Sequence, residues 1–266
     1  MVKYMKNNFI KSTIILVIGG FITKILSMII KICLTRSVGT EGIGVYSLVL
    51  PTFNLFITLC TLSLPIAISK LISERKRKSK HIITSIIPIT IIYNLVLMVI
   101  LYLIAPILSK YLLKNTDTYY AIIAIGLTLP FICISSIIKG YFFGKEKMFP
   151  HTFSNIIEQL VRLFLTIYFI PNLLKYGLNI AICGVVLINI ISEFSSIIVL
   201  MIFLPKEHIN IHDFKFDKSN MKDILEISIP TTTTRLIGSL TYFLEPIILT
   251  NVLLKVGYNN SYITLE

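Results

Sequence analysis

Hydrophobic residues in this chain do not alternate with polar ones. They come in runs of about 20, each followed by a short polar break rich in lysine. Seven runs stand out, approximately Phe9–Leu34, Val45–Ile72, Ile82–Leu108, Tyr120–Phe143, Thr152–Ile170, Asn179–Leu204 and Ile224–Leu254. Runs of that length predict membrane-crossing helices, because in lipid every backbone N–H and C=O must be paired within its own segment. The expected fold class is all-α, a polytopic transmembrane bundle of about seven spans.

Polar residues inside the runs recur at intervals of three and four, so they fall on single helix faces. The first run carries Thr13, Gly20, Lys24, Ser27 and Lys31. The last carries Ser228, Thr231, Arg235, Ser239, Tyr242 and Glu245. The second carries Ser47, Pro51, Asn54, Thr58, Thr61, Pro65 and Ser69, and its prolines free backbone carbonyls that need polar company. A lysine near the middle of a bilayer costs roughly 2.5–3.5 kcal/mol, so it persists only facing a protein interior or a wet cavity. The stripes therefore predict the wall of a polar, cationic cavity. Lys24 and Arg235 are the candidate substrate-binding residues. Two cations on polar faces suit an anionic group such as a diphosphate, which the arginine fork can bind bidentately.

Three further sites carry charge within the runs. Glu158 and Arg162 are four apart with the acid first, the favourable order for an intrahelical pair, and could serve as a gate or a structural ion pair. Glu193 has no local partner, and Glu245 precedes Pro246 at an expected kink; both are candidates for ion or proton coupling.

Composition narrows the class. The chain is 55% hydrophobic and 14% charged, which leaves no room for a large soluble domain. Its net charge of +12 would ordinarily raise nucleic acid as a partner. The basic residues, however, sit in the breaks and obey a sidedness. With the N-terminus in the cytoplasm, fifteen fall on the cytoplasmic side (Lys139, Lys145 and Lys147 among them) and five on the outer side. That asymmetry predicts a multi-pass protein of the cytoplasmic membrane with a cytoplasmic N-terminus, in contact with membrane lipids and not with nucleic acid. Cys33, Cys60, Cys133 and Cys183 lie in apolar runs and read as small core residues. His208 and His212 read as part of a solvated loop. No cluster has the spacing of a metal site, a cofactor motif or a catalytic constellation, so neither cofactor, metal nor catalytic residue is expected. A membrane enzyme is accordingly disfavoured.

Several stretches carry a family resemblance: Gly39-Thr-Glu-Gly-Ile-Gly-Val-Tyr46, Ala67-Ile-Ser-Lys-Leu-Ile-Ser-Glu74, Lys139-Gly-Tyr-Phe-Phe-Gly144 followed by Met148-Phe-Pro-His-Thr152 and Glu158-Gln-Leu-Val-Arg162, and Ile227-Ser-Ile-Pro-Thr231 with Arg235. In order and spacing they resemble the polysaccharide-biosynthesis branch of the multidrug/oligosaccharidyl-lipid/polysaccharide (MOP) flippase superfamily, nearest its stage V sporulation protein B group. The resemblance implies a MATE-like alternating-access transporter, two helical lobes around a central cavity, moving lipid-linked anionic saccharides such as peptidoglycan or spore-cortex precursors. An antiporter of drugs or other cations with the same fold is the alternative.

The chain is about half the length the resemblance implies, and its last run repeats features of the first. Lys24 with Ser27 is similar to Arg235 with Ser239, and Val38-Gly39 leading to Tyr46 weakly resembles Val256-Gly257 leading to Tyr262. The expected division is therefore a six-helix N-terminal lobe (1–204), a cytoplasmic amphipathic connector (205–223) and the first helix of an incomplete second lobe (224–266). A chain so divided is expected to be a truncated form or a fragment. It would need a missing C-terminal half or self-association to transport, and would otherwise be inactive.

Overall fold

The computed structural model describes residues 2–74, 79–205 and 218–256. Within them are seven α-helices and no strand: α1 Val2–Thr61, α2 Leu64–Ser73, α3 Ser79–Ile107, α4 Tyr119–Gly144, α5 Met148–Leu174, α6 Leu178–Phe203 and α7 Lys218–Val256. A π turn (Leu108–Leu112) and a single 3₁₀ turn (Thr116–Thr118) join α3 to α4. His208, His212 and the Gly257–Tyr262 stretch lie outside the described residues. So does most of the expected connector, whose last residues, 218–223, form the start of α7.

The helices differ from the seven runs at two places. The first two runs are joined in α1, whose 60 residues would extend about 90 Å if straight, three times a bilayer core. The break comes at Gly39, with φ 72° and ψ −175°, a conformation essentially restricted to glycine. One residue thus does what a ten-residue loop was expected to do. Contacts show that the chain reverses there. Ser12 donates to the carbonyl of Glu146 at the α4–α5 turn (3.0 Å). Gly42 packs on Leu178, at the other end of α5 and α6, and Ser69 and Ile72 return to Gly144 at the first end. A second break falls at Leu62 and Ser63, both with positive φ, ahead of Pro65 in the first turn of α2.

The chain is a multi-pass membrane protein, and with α1 reversed at Gly39 the described helices make seven passes of the bundle. One end of the bundle gathers the start of α1, the end of α2, the start of α3, the α4–α5 turn, the end of α6 and the start of α7. The opposite end holds Gly39, the α3–α4 link and the α5–α6 turn.

α4 is the central post. In its most apolar stretch 72% of residues are buried, against 6% in the N-terminal span. Leu129, Ile125 and Ile137 on α4 pack with Ile68, Leu101, Ile182 and Ile170 from α2, α3, α6 and α5. The exposed apolar side chains of α1 (Val17, Phe21, Met28) form a face suited to lipid. Cys60 and Cys133 are buried in the core, Cys33 and Cys183 are half-buried, and all four are free thiols.

α4 approaches α2 through glycine. A Cβ added at Gly140 would lie 2.8 Å from Cα of Pro65, where backbone cannot yield. Gly140→Val should therefore destabilise the bundle by about 1–3 kcal/mol through overpacking. Titrating the chain out of mild detergent with SDS and following helicity measures this; an unchanged midpoint would show that α2 and α4 are free to move apart.

Candidate functional site

The polar stripes border two open cavities, with Gly20, Lys24 and Ser27 exposed at the first and Arg235 exposed at the second. The first, of about 300 Å³, is lined by Gly20, Thr23, Lys24 and Ser27 of α1, Lys139 of α4, and Asn155, Glu158 and Gln159 of α5. The helical period puts the α1 residues one turn apart on the side facing α5, and Ser27 Oγ lies 3.4 Å from Gln159 Oε1. Lys24 has no hydrogen bond or ion pair among the described residues. It is the uncompensated cation of this cavity.

Behind Lys24 lies a charge cluster from three helices. Arg162 Nη2 donates to Glu158 Oε1 at 2.8 Å, so the intrahelical pair forms. The other oxygen of Glu158 accepts from Lys139 Nζ at 3.3 Å, and Lys139 also stands 4.0 Å from Glu193 Oε2 of α6. Glu158 and Glu193 are both buried. Two carboxylates and two cations neutralise one another, which offsets the cost of placing four charges inside an apolar bundle. Glu193, without a partner in its own helix, thus finds one 54 positions away. Lys139 was counted among the break residues on the sequence; the structure places it inside α4, which runs on to Gly144, as the hub between α5 and α6.

The second cavity, of about 400 Å³, lies between α1 and α7 and is lined by Asn54, Ile57, Thr58, Arg235, Gly238, Ser239 and Tyr242. Thr58 Oγ1 and Ser239 Oγ are 2.8 Å apart and close its floor. The stripe of the second run thus splits in role. Asn54 and Thr58 line the cavity, whereas Pro65 and Ser69 pack against glycines of α4. Half-buried Tyr46 is in electrostatic reach of both Arg162 and Tyr242. Arg235 and Glu245 are exposed on α7, and neither has an ion pair among the described residues. The structure does not bring Glu245 to the Glu158 cluster. Tyr46, Asn155 and Gln159 were not singled out on the sequence. A three-residue spacing from Glu158 and from Arg162 could have marked Asn155 and Gln159; no such signal marks Tyr46.

Residues 9–256 match the polysaccharide biosynthesis protein family, and the chain belongs to it. It is 34% identical to stage V sporulation protein B of Bacillus subtilis over 263 residues, covering 95% of this chain and 51% of that protein. It is 26% identical to the lipid II flippase MurJ of the same organism, over 76% of this chain and 40% of that protein. Among solved structures it is similar to an inward-facing multidrug resistance MATE family transporter of the MOP superfamily (TM-score 0.69, 17% identity, 90% of this chain and 56% of that one). It is equally similar to a MOP superfamily transporter from Pyrococcus furiosus described as having a binding pocket of reversed polarity (TM-score 0.68, 16% identity, 94% and 60%). The chain thus spans about half the length of the curated relatives it matches. The family and the all-α MATE-like fold follow from these likenesses.

Both oxygens of Glu158 are occupied, so removing its charge strands two cations. Glu158→Gln should destabilise the bundle by about 2–4 kcal/mol, less than for a fully buried pair because the Arg162 side chain is 24% exposed. SDS-titration midpoints measure it. A variant as stable as the unsubstituted chain would mean that the cluster contributes no cohesion.

Proposed function

We propose that this chain forms the first lobe of an alternating-access flippase that moves lipid-linked anionic saccharides, peptidoglycan or spore-cortex precursors, across the cytoplasmic membrane. The observation that carries the reading is Lys24: a cation without an ionic partner on the wall of a polar cavity, beside a cluster that is already neutral. Arg235 of α7 supplies the second cation, on the wall of the other cavity. Both are the proposed substrate-binding residues, and the diphosphate of the lipid carrier is the group they would hold. The names of two relatives, a sporulation protein and a lipid II flippase, agree with that substrate class.

The cation-antiporter alternative needs carboxylates free to bind a cation. Glu158 and Glu193 are both engaged with Lys139 and Arg162, which favours the anionic substrate. Glu158 and Arg162 then act as a lock between helices at the edge of the cavity. Of the two acids put forward for ion or proton coupling, Glu245 is the better placed, since Glu193 faces Lys139. We read the protein as a transporter and not an enzyme.

The end of the bundle that gathers the start of α1 carries most of the lysines and arginines outside the apolar runs, which supports a cytoplasmic N-terminus. Residues 1–204 form one lobe, 205–223 a cytoplasmic link, and α7 opens a second. Rocking of two lobes about a shared site requires that the second be completed, by a further six or so helices or by another copy of the chain.

The test is translocation of a fluorescent lipid-linked saccharide in proteoliposomes holding the chain with a bundle that completes the second lobe. Lys24→Ala and Arg235→Ala should each slow it about ten-fold or more, and Arg235→Lys should restore part of the loss. Unchanged rates in both alanine variants at equal protein levels would remove these cations from the mechanism.

A further inference from the structure

The position of Lys139 carries more than a structural role. Its ammonium group has three N–H donors. One goes to Glu158 Oε2 at 3.3 Å. Glu193 Oε2 stands at the outer limit of an ion pair, 4.0 Å away, and that oxygen has no hydrogen-bond partner although it is buried. Two donors of Lys139 are therefore uncommitted, and the residue lines the same cavity as Lys24. Glu158 is the carboxylate exposed to that cavity, but its two oxygens are taken by Arg162 and Lys139. Counting Lys24, Lys139 and Arg162 against Glu158 and Glu193, the cavity wall keeps one net positive charge. Lys24 approaches from α1 and Lys139 from α4, so an anion between them would be met from two sides.

We infer that Lys139 is a direct ligand of the substrate's anionic group, a second cation of the α1–α4–α5 cavity, which Glu158 and Glu193 aim at the cavity. This rests on the proposed anionic substrate and assigns a residue that its own helix gives no reason to suspect. A lysine held by two carboxylates is oriented before the ligand arrives, which lowers the entropy lost on binding. The loosely held Glu193 contact is the one an anion displaces, while the shorter bond to Glu158 keeps the ammonium in place. The cavity is built wholly from α1, α4 and α5, so the chain suffices for a binding test.

The experiment is isothermal titration of the chain in lipid nanodiscs with farnesyl diphosphate as the probe and farnesol as the neutral control. Lys139→Gln should weaken diphosphate binding about ten-fold, as loss of a charge-assisted bond does, and Lys139→Arg should retain most of it. Because Lys139→Gln also unbalances the cluster, the deciding variant is Lys139→Gln combined with Glu193→Gln, which restores neutrality. Binding that stays weak in this charge-balanced pair establishes Lys139 as a ligand. Binding that returns to the unsubstituted value shows that Lys139 only balances charge, and overturns the inference. If Lys24→Gln weakens binding while the charge-balanced pair binds normally, this inference fails and the anionic-substrate reading stands. If the unsubstituted chain binds farnesyl diphosphate no better than farnesol, both fail.

Discussion

Glu158 gives both of its carboxylate oxygens to cations on different helices, to Arg162 one turn along α5 at 2.8 Å and to Lys139 of α4 at 3.3 Å. The rest of the inner face depends on this arrangement. In a largely apolar bundle four charges are held best as a neutral set, and Glu193 of α6 completes it. The set ties α4, α5 and α6 together. It also settles which charge is left over. With Glu158, Glu193, Lys139 and Arg162 accounted for, Lys24 is left without an ion pair among the described residues on the cavity wall, and on the proposed reading it sets the sign of the substrate.

Backbone features bring α1 to that cluster. A single extended glycine, Gly39, turns a 60-residue helix back on itself, so its first half can lie along α5 and its second half along α4 and α7. The first half presents Gly19 to Thr152 of α5, a contact with no room for a larger residue, and this seats Lys24 and Ser27 opposite Asn155, Glu158 and Gln159. The second half presents Asn54 and Thr58 to Arg235 and Ser239 of α7. Two cation-bearing cavities thus follow from one reversal. Small residues set the helix spacing, as expected where lipid offers no hydrophobic drive for helices to associate.

What was legible in the sequence was what is local. The hydrophobic runs marked the crossings to within a few residues, because length and backbone pairing constrain a membrane helix so strongly. Glu158 and Arg162 were legible as a pair because four residues is one helical turn. The break at Gly39 was not, since a single glycine in a run containing Gly39, Gly42 and Gly44 carries no sign that it alone leaves the helix. Lys139 was misplaced for a related reason. Close to the end of an apolar run, next to Gly140 and followed by Lys145 and Lys147, it looked like one more basic residue at a membrane surface. Its partners lie 19 and 54 positions away, a separation no periodicity reveals. Glu193 appeared solitary from the same blindness to tertiary contact.

The central claim is that the inner face of this lobe selects anions. Its most direct measurement is native mass spectrometry of the chain in nanodiscs, offered a prenyl diphosphate and a quaternary ammonium lipid of equal chain length in competition. The account predicts retention of the diphosphate, lost on Lys24→Gln, with the ammonium lipid bound no better than background. Preferential retention of the ammonium lipid would contradict it and would place the free carboxylate, not the free lysine, at the heart of the site.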